Sequence, residues 1–373
     1  GAPGYWLVAS DGGVFAFSGD GAPALPGGPT PREPQLAVST VVNGLEIPWD
    51  LAFTPDSTML FTERPGRLNA LVNGVVRRLA TLADVYAVGE SGLLGLAVDP
   101  DFAVNRRLYT CHTWTDGSAR DVRVVAWRVD TGYTTAIRVA DPLIRGFPVT
   151  SGRHAGCRLR FGNDGALFIG TGDAATGVNP QNLSSLGGKV LRVDRMTGAP
   201  APGNPFPGSP VFTFGHRNVQ GLALRPGTDQ MFSVEHGPDR DDEVNLLRAG
   251  GNAGWDPVPG YNESRPMTDL TKFPDAMRPV WASGAPTIAA SGATFLRGSN
   301  WGTLDGALVL AALAGTQLRA LFVDPSGALV GERLLLDLPD RLRSVALGPD
   351  ASLWVTTSNG GGNDRIFRVT PAL

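Results

Sequence analysis

A chain of 373 residues is long enough for two or three ordinary domains or for one large repetitive one. Its formal charge of −3 and charged fraction of 18% provide no basic field for a phosphate backbone, which excludes nucleic acid as an expected partner. No apolar run reaches membrane-spanning length, so no membrane span is expected.

Composition favours the repetitive alternative. Helix-period runs with capping signals are scarce, while 49 Gly and 30 Pro punctuate short runs of Val, Leu, Phe and Thr, the mark of many strands joined by tight turns. The chain is expected to be all-β. It opens with YWLVASDGGVFAFSGD (5–20), read as a hairpin, and a Pro/Gly linker at 22–34, so residues 1–35 are expected to be peripheral. From residue 36 onward a unit recurs: an apolar strand, a Pro/Gly/Asp/Asn turn, a second apolar strand and a more polar hairpin. Copies lie at 49–71, 92–114, 156–173, 219–237, 290–313 and 343–360. Spacings of roughly 45–70 residues are at or above the upper end of propeller-blade periods. One such sheet cannot bury both faces alone, so the copies must stack around an axis. Residues 36–373 are therefore expected to form a six-bladed β-propeller of four-stranded antiparallel blades. The segment 36–45 and the C-terminal strand at 364–371 would share the last blade and close the ring.

Polar groups where the first strand of a copy enters the central channel are the candidate site, because unrelated sites are grafted onto that end of a propeller. His154 enters the third copy, and a loop histidine with hydrogen-bonded nitrogens is the plainer alternative. Arg217 and Asn218 enter the fourth; a guanidinium fork recognises carboxylate or phosphate. Asp241, Asp242 and Glu243 follow a Gly-Pro turn and suit a hard cation, or else a solvated acidic turn. Arg341 and Arg343 alternate, and so share one face at the entry of the sixth copy; with Arg217 they would form a cup for a small polyanion. Cys111 and Cys157, the only cysteines, are compatible with two buried thiols or with one disulfide between adjacent blades.

The motifs IPWDLAFTPDSTMLFTERPGRL, GESGLLGLAVDPDF, GGKVLRVD, GHRNVQGLAL and EHGPDRDDEVNLLRAGGNAGW make residues 36–373 resemble the soluble quinoprotein glucose dehydrogenases and aldose sugar dehydrogenases, the glucose/sorbosone dehydrogenase family. The resemblance implies a six-bladed propeller that binds pyrroloquinoline quinone (PQQ) and Ca2+, oxidises the anomeric carbon of an aldose and passes electrons to an external acceptor. It implies His154 as general base, Arg217 beside the quinone and Asn218 as its neighbour. Thr287, Arg341 and Arg343 would hold PQQ carboxylates. Asp173 would stand near the sugar, with Glu90 where the glucose enzymes have glutamine. The carbonyls of Gly237 and Pro238 would bind Ca2+, and Glu243 with the Tyr261 region would match a second, structural calcium site. It also implies a periplasmic or secreted location; the chain starts at Gly1 and carries no signal-like segment of its own. Two features depart from the glucose enzymes: 308–321 lacks their PQQ-contacting lysine, and Ala285 replaces a tryptophan. A broad-range sugar dehydrogenase is expected, with a non-catalytic binding module of the same lineage as the alternative. A lactone hydrolase would need a central Asn/Asp/Glu cluster that the channel entries do not supply.

Overall fold

Short apolar strands between tight turns bury their side chains only when sheets pack face to face. The computed structural model describes residues 5–8, 14–17 and 33–372, and it packs six four-stranded antiparallel sheets side by side as the blades of a propeller. The inner strands are Pro48–Phe53, Leu93–Val98, Gly156–Phe161, Val219–Leu224, Ala290–Phe295 and Leu342–Leu347, in blades one to six. Each packs on the next, and the sixth returns to the first. Every recurring unit of the sequence starts on or beside one of these strands.

The core is divided accordingly. Each blade-to-blade interface holds its own apolar cluster, such as Leu60, Leu68, Leu93 and Leu108 between blades one and two, or Phe232, Val234, Phe295 and Leu310 between blades four and five. Blade six is closed as expected: its third strand, Asp364–Ala372, pairs antiparallel with Gln35–Leu45 from the start of the ring. Leu45 and Ile366 then pack with Leu51 and Phe61 of blade one. Ahead of the ring, Tyr5–Val8 pairs with Val14–Phe17, the hairpin read from the sequence. Most of the expected linker, 22–32, lies outside the described residues. Among the described residues helix is confined to Phe102–Asn105 and a 3-10 turn at Ser299–Leu304. Neither of these is long and apolar enough to cross a membrane.

The cysteines form a disulfide, Cys111–Cys157, with Cα atoms 5.4 Å apart. Cys111 is on the second strand of blade two and Cys157 on the inner strand of blade three, so the bond staples two blades inside their shared apolar cluster. Unfolded, unreduced protein should therefore take up no thiol alkylating reagent by intact mass. Replacing both cysteines with alanine should lower stability by about 2–4 kcal/mol in a denaturant titration.

Candidate active site

Loops preceding the inner strands converge at one mouth of the channel. His154 is placed there by an unusual backbone: its φ is +52°, and the adjoining Ala174, whose N–H meets the His154 carbonyl, and Ala175 are also left-handed. Such conformations cost free energy and persist only where surroundings over-determine them. Gly172 supplies part of that constraint, because a Cβ there would stand 1.8 Å from the His154 carbonyl oxygen.

The imidazole is 3% exposed and its Nδ1 lies 2.8 Å from Asp173 Oδ1. Asp173 is fully buried, and its carboxylate also accepts from Ala175 N (2.8 Å), Trp255 Nε1 (2.9 Å) and the Tyr261 hydroxyl (2.8 Å). A carboxylate surrounded by donors is an acceptor only, so His154 carries its proton on Nδ1 and presents Nε2 with a free lone pair. The carboxylate that the sequence reading sets near the sugar is thus met by four donors, His154 among them. Burial, followed by the neighbouring Asp173 charge, pushes the Tyr261 phenol well above its usual range and keeps it a donor.

Tyr261 belongs to the long connection 247–280 of blade four, which reaches back over blade three. Its approach is close: a Cβ on Gly177 would meet the Gly260 carbonyl oxygen at 2.0 Å. Glu263 on the same connection accepts from Arg217 Nη2 (2.9 Å) and Arg153 Nη2 (2.8 Å). Glu243, matched with the Tyr261 region in the sequence reading, instead bonds Thr268 and Asn245. The structure therefore does not join Tyr261 and Glu243 in one set of ligands. Burial, with Glu235 alongside, holds the Glu243 carboxyl well above the usual carboxylate range.

Opposite the imidazole lies a cluster of donors. Arg217 is buried, with its backbone N–H bonded to Glu235, which His216 in turn contacts. Glu90 joins the two sides of the mouth by accepting from His154 N (3.2 Å) and Asn218 Nδ2 (3.0 Å). Arg343 donates to Gln220 Oε1 (2.8 Å), and Arg341, more exposed, donates to the Ser358 carbonyl. Desolvation deep in the channel pushes the Arg343 guanidinium down to about 9, with Glu90 opposing and the neighbouring arginines reinforcing the shift. Two groups here were not singled out from the sequence. His236 lies beside Arg343, Arg217 and His154, and desolvation followed by the Arg343 and Arg217 charges holds it well below the usual imidazole range. Arg64 donates to the Gly89 carbonyl from the adjoining blade. Both stand at the exits of second strands.

The donors fit a polyanion. Arg64 Nε, Arg217 Nε, Arg343 Nε and His236 Nε2 are buried without a protein partner, a costly state that an anionic ligand would relieve. Thr287 lies nearby in the chain fold, its N–H bonded to the Asp239 carbonyl. Asp242 accepts from Gly237 N, Ile288 N and Ala290 N and so holds the Gly237–Pro238 turn in place. This overturns the solvated acidic turn for Asp242, which is fully buried. Among the described residues the Gly237 and Pro238 carbonyls accept no hydrogen bond, which leaves two hard oxygen donors, and no cluster of three or more His, Cys, Asp or Glu side chains converges as a metal site.

The profile of the Glucose / Sorbosone dehydrogenase family matches residues 45–368, and the chain belongs to that family. It is 29% identical to the aldose sugar dehydrogenase YliI of Escherichia coli over 351 residues, covering 90% of this chain and 92% of that protein. Among solved structures, a putative oxidoreductase (glucose dehydrogenase) from Thermus thermophilus superposes with a TM-score of 0.77 at 39% identity, covering 90% of this chain and 99% of the other. The PQQ-bound aldose sugar dehydrogenase of Streptomyces coelicolor superposes at 0.75 with 31% identity, covering 91% and 99%.

Beneath the dyad, Lys189 is fully buried and donates to the carbonyls of Asn179, Pro180 and Gly187. It anchors the loop that carries Asp173. Desolvation lowers its ammonium to about 7 against the pull of Asp173. An unfolded lysine holds its proton to about pH 10.4, so between those values the unfolded chain binds more protons and rising pH favours folding. Lys189→Met should cost about 3 kcal/mol or more through three unsatisfied carbonyls. Denaturant titrations from pH 7 to 10 should show the wild type gaining stability relative to the variant.

Proposed function

We propose that the protein is a PQQ- and Ca2+-dependent sugar dehydrogenase that oxidises the anomeric carbon of aldoses to lactones and delivers the electrons to an external acceptor. The observation that carries this reading is the meeting, at one channel mouth, of an imidazole with a directed lone pair and a set of buried, unpartnered cationic donors. A binding module has no use for the first of these.

His154 Nε2 removes the proton from the C1 hydroxyl, and Asp173 stabilises the imidazolium that forms through Nδ1. Tyr261, Trp255 and Ala175 N keep the carboxylate oriented toward the ring. Glu90 stands at the sugar side of the mouth. Arg217 and Asn218 flank the cofactor position; Thr287, Arg341 and Arg343 receive its carboxylates; the Gly237 and Pro238 carbonyls hold Ca2+. When bound, PQQ supplies the two-electron acceptor and Ca2+ the charge that polarises its quinone carbonyl. With no lysine in 308–321, Arg343 and His236 carry more of the anion recognition in this chain than any ammonium does. A periplasmic or secreted location goes with this reading, since a disulfide such as Cys111–Cys157 persists in oxidising compartments.

Purified apoprotein given PQQ and Ca2+ should reduce an electron-accepting dye with a panel of aldoses, and exhaustive chelation should abolish that activity. No dye reduction with any aldose, or activity that survives chelation, would refute the corresponding part of the reading. His154→Gln should lower kcat by roughly 10²–10⁴ while PQQ still binds. Tyr261→Phe, which removes one donor from Asp173, should lower kcat by about threefold to tenfold with little change in PQQ affinity. Arg343→Ala should act in the opposite sense, weakening PQQ binding in a fluorescence titration more than turnover at saturating cofactor.

A further inference from the structure

The inner strands continue beyond the active-site mouth, and a hydrogen-bonded layer crosses the channel below it. Arg158 pairs with Asp50 Oδ1 (2.5 Å) and donates to Ser344 Oγ (2.8 Å) and the Gln220 carbonyl (2.7 Å). Asp50 also accepts from Leu96 N and Ser344 Oγ. Five of the six blades contribute to this layer, through Asp50, Leu96, Arg158, Gln220 and Ser344. Gln220 links it upward to Arg343.

Below lies a cavity of about 480 Å³ that includes the far ends of the inner strands. Its lining is mixed, polar backbone and side-chain groups alternating with the partly exposed side chains of Phe53, Phe161, Leu224 and Leu347. Two guanidinium groups enter it. Arg160, two residues after Arg158 and therefore on the same face of the strand, makes no hydrogen bond or ion pair among the described residues. Arg158 is 4% exposed, and its Nη2 is buried without a partner. The one carboxylate lining the cavity, Asp50, is already engaged by Arg158, Ser344 and Leu96. One positive charge is left over. Arg160 is exposed at the cavity, so its guanidinium is accessible to an incoming anion. A pocket of a few hundred Å³ with apolar side chains and a few convergent polar groups is the usual form of a small-molecule site.

We propose that this lower cavity binds an organic monoanion with an apolar body, its carboxylate or sulfonate on Arg160 and Arg158 Nη2 and its body against the Phe and Leu walls. The proposal is independent of the sugar dehydrogenase reading, because no residue assigned to the active site lines this cavity. Titration calorimetry on the apoprotein with octanoate tests it, with acetate as an anion lacking the body and 1-octanol as a body lacking the charge. Octanoate should bind saturably at one site, and acetate and octanol roughly tenfold or more weakly. Arg160→Met, which removes no bond from the fold, should weaken octanoate by roughly tenfold or more, and Ala346→Trp should block the cavity. Circular dichroism and the thermal midpoint check that both variants remain folded. Absence of saturable binding, equal binding of octanoate and acetate, or wild-type affinity in either variant would overturn the proposal.

Discussion

The arrangement at the channel mouth depends on one buried carboxylate. Asp173 is enclosed by four donors from three stretches of chain: His154 before blade three, Ala175 after its second strand, and Trp255 and Tyr261 from the long connection of blade four. In a low-dielectric interior such an anion is tolerable only when its lone pairs are all met, and meeting them fixes the relative position of all three stretches. The tautomer of His154, its left-handed backbone and the reach of the blade-four connection follow from the same requirement. Lys189 supports it from below by holding the carbonyls of the loop that returns from Asp173.

Charge across the mouth is arranged on the contrary principle. The Asp173 side is saturated, whereas Arg64, Arg217, Arg343 and His236 keep buried nitrogens without partners. Glu263 bonds Arg217 but leaves its Nε free, and Glu90 is engaged by His154 and Asn218. A site built to orient a base has to be rigid, while a site built to receive an anion has to keep donors open. Placing the two on different blades around one hole lets each be met without compromising the other.

Much of this was legible in the sequence because a propeller repeats. Once the recurring strand–turn–strand unit is recognised, the entry to each inner strand becomes a known place, and His154, Arg217, Asn218, Arg341 and Arg343 can be located by position alone. The ring closure through residues 36–45 was readable for the same reason. What escaped is what repetition does not encode. Tyr261 reaches Asp173 because a 34-residue span, 247–280, folds back over another blade, and no periodicity specifies that path. Its pairing with Glu243 came from the family resemblance, and the structure sends the two side chains to different neighbours. His236 and Arg64 stand at strand exits. For Cys111 and Cys157 the sequence left thiols and disulfide equally open, because the choice rests on whether two neighbouring blades bring Cα atoms within bonding range.

The strand Gln35–Leu45 pairs with Asp364–Ala372, so the two ends of the ring domain lie side by side and the sixth blade contains both the earliest and the latest parts of the ring. During synthesis, blades one to five can be completed in order as they leave the ribosome, but the circle stays open until the last residues arrive. Until then blade one lacks its neighbour on that side, and the apolar face around Leu51 and Phe61 has no cover. The same adjacency means that the ring itself does not require its ends to be where they are. A circular permutant that joins these two strands and opens a surface hairpin elsewhere would retain every blade and both channel mouths, and it would change only which seam closes last.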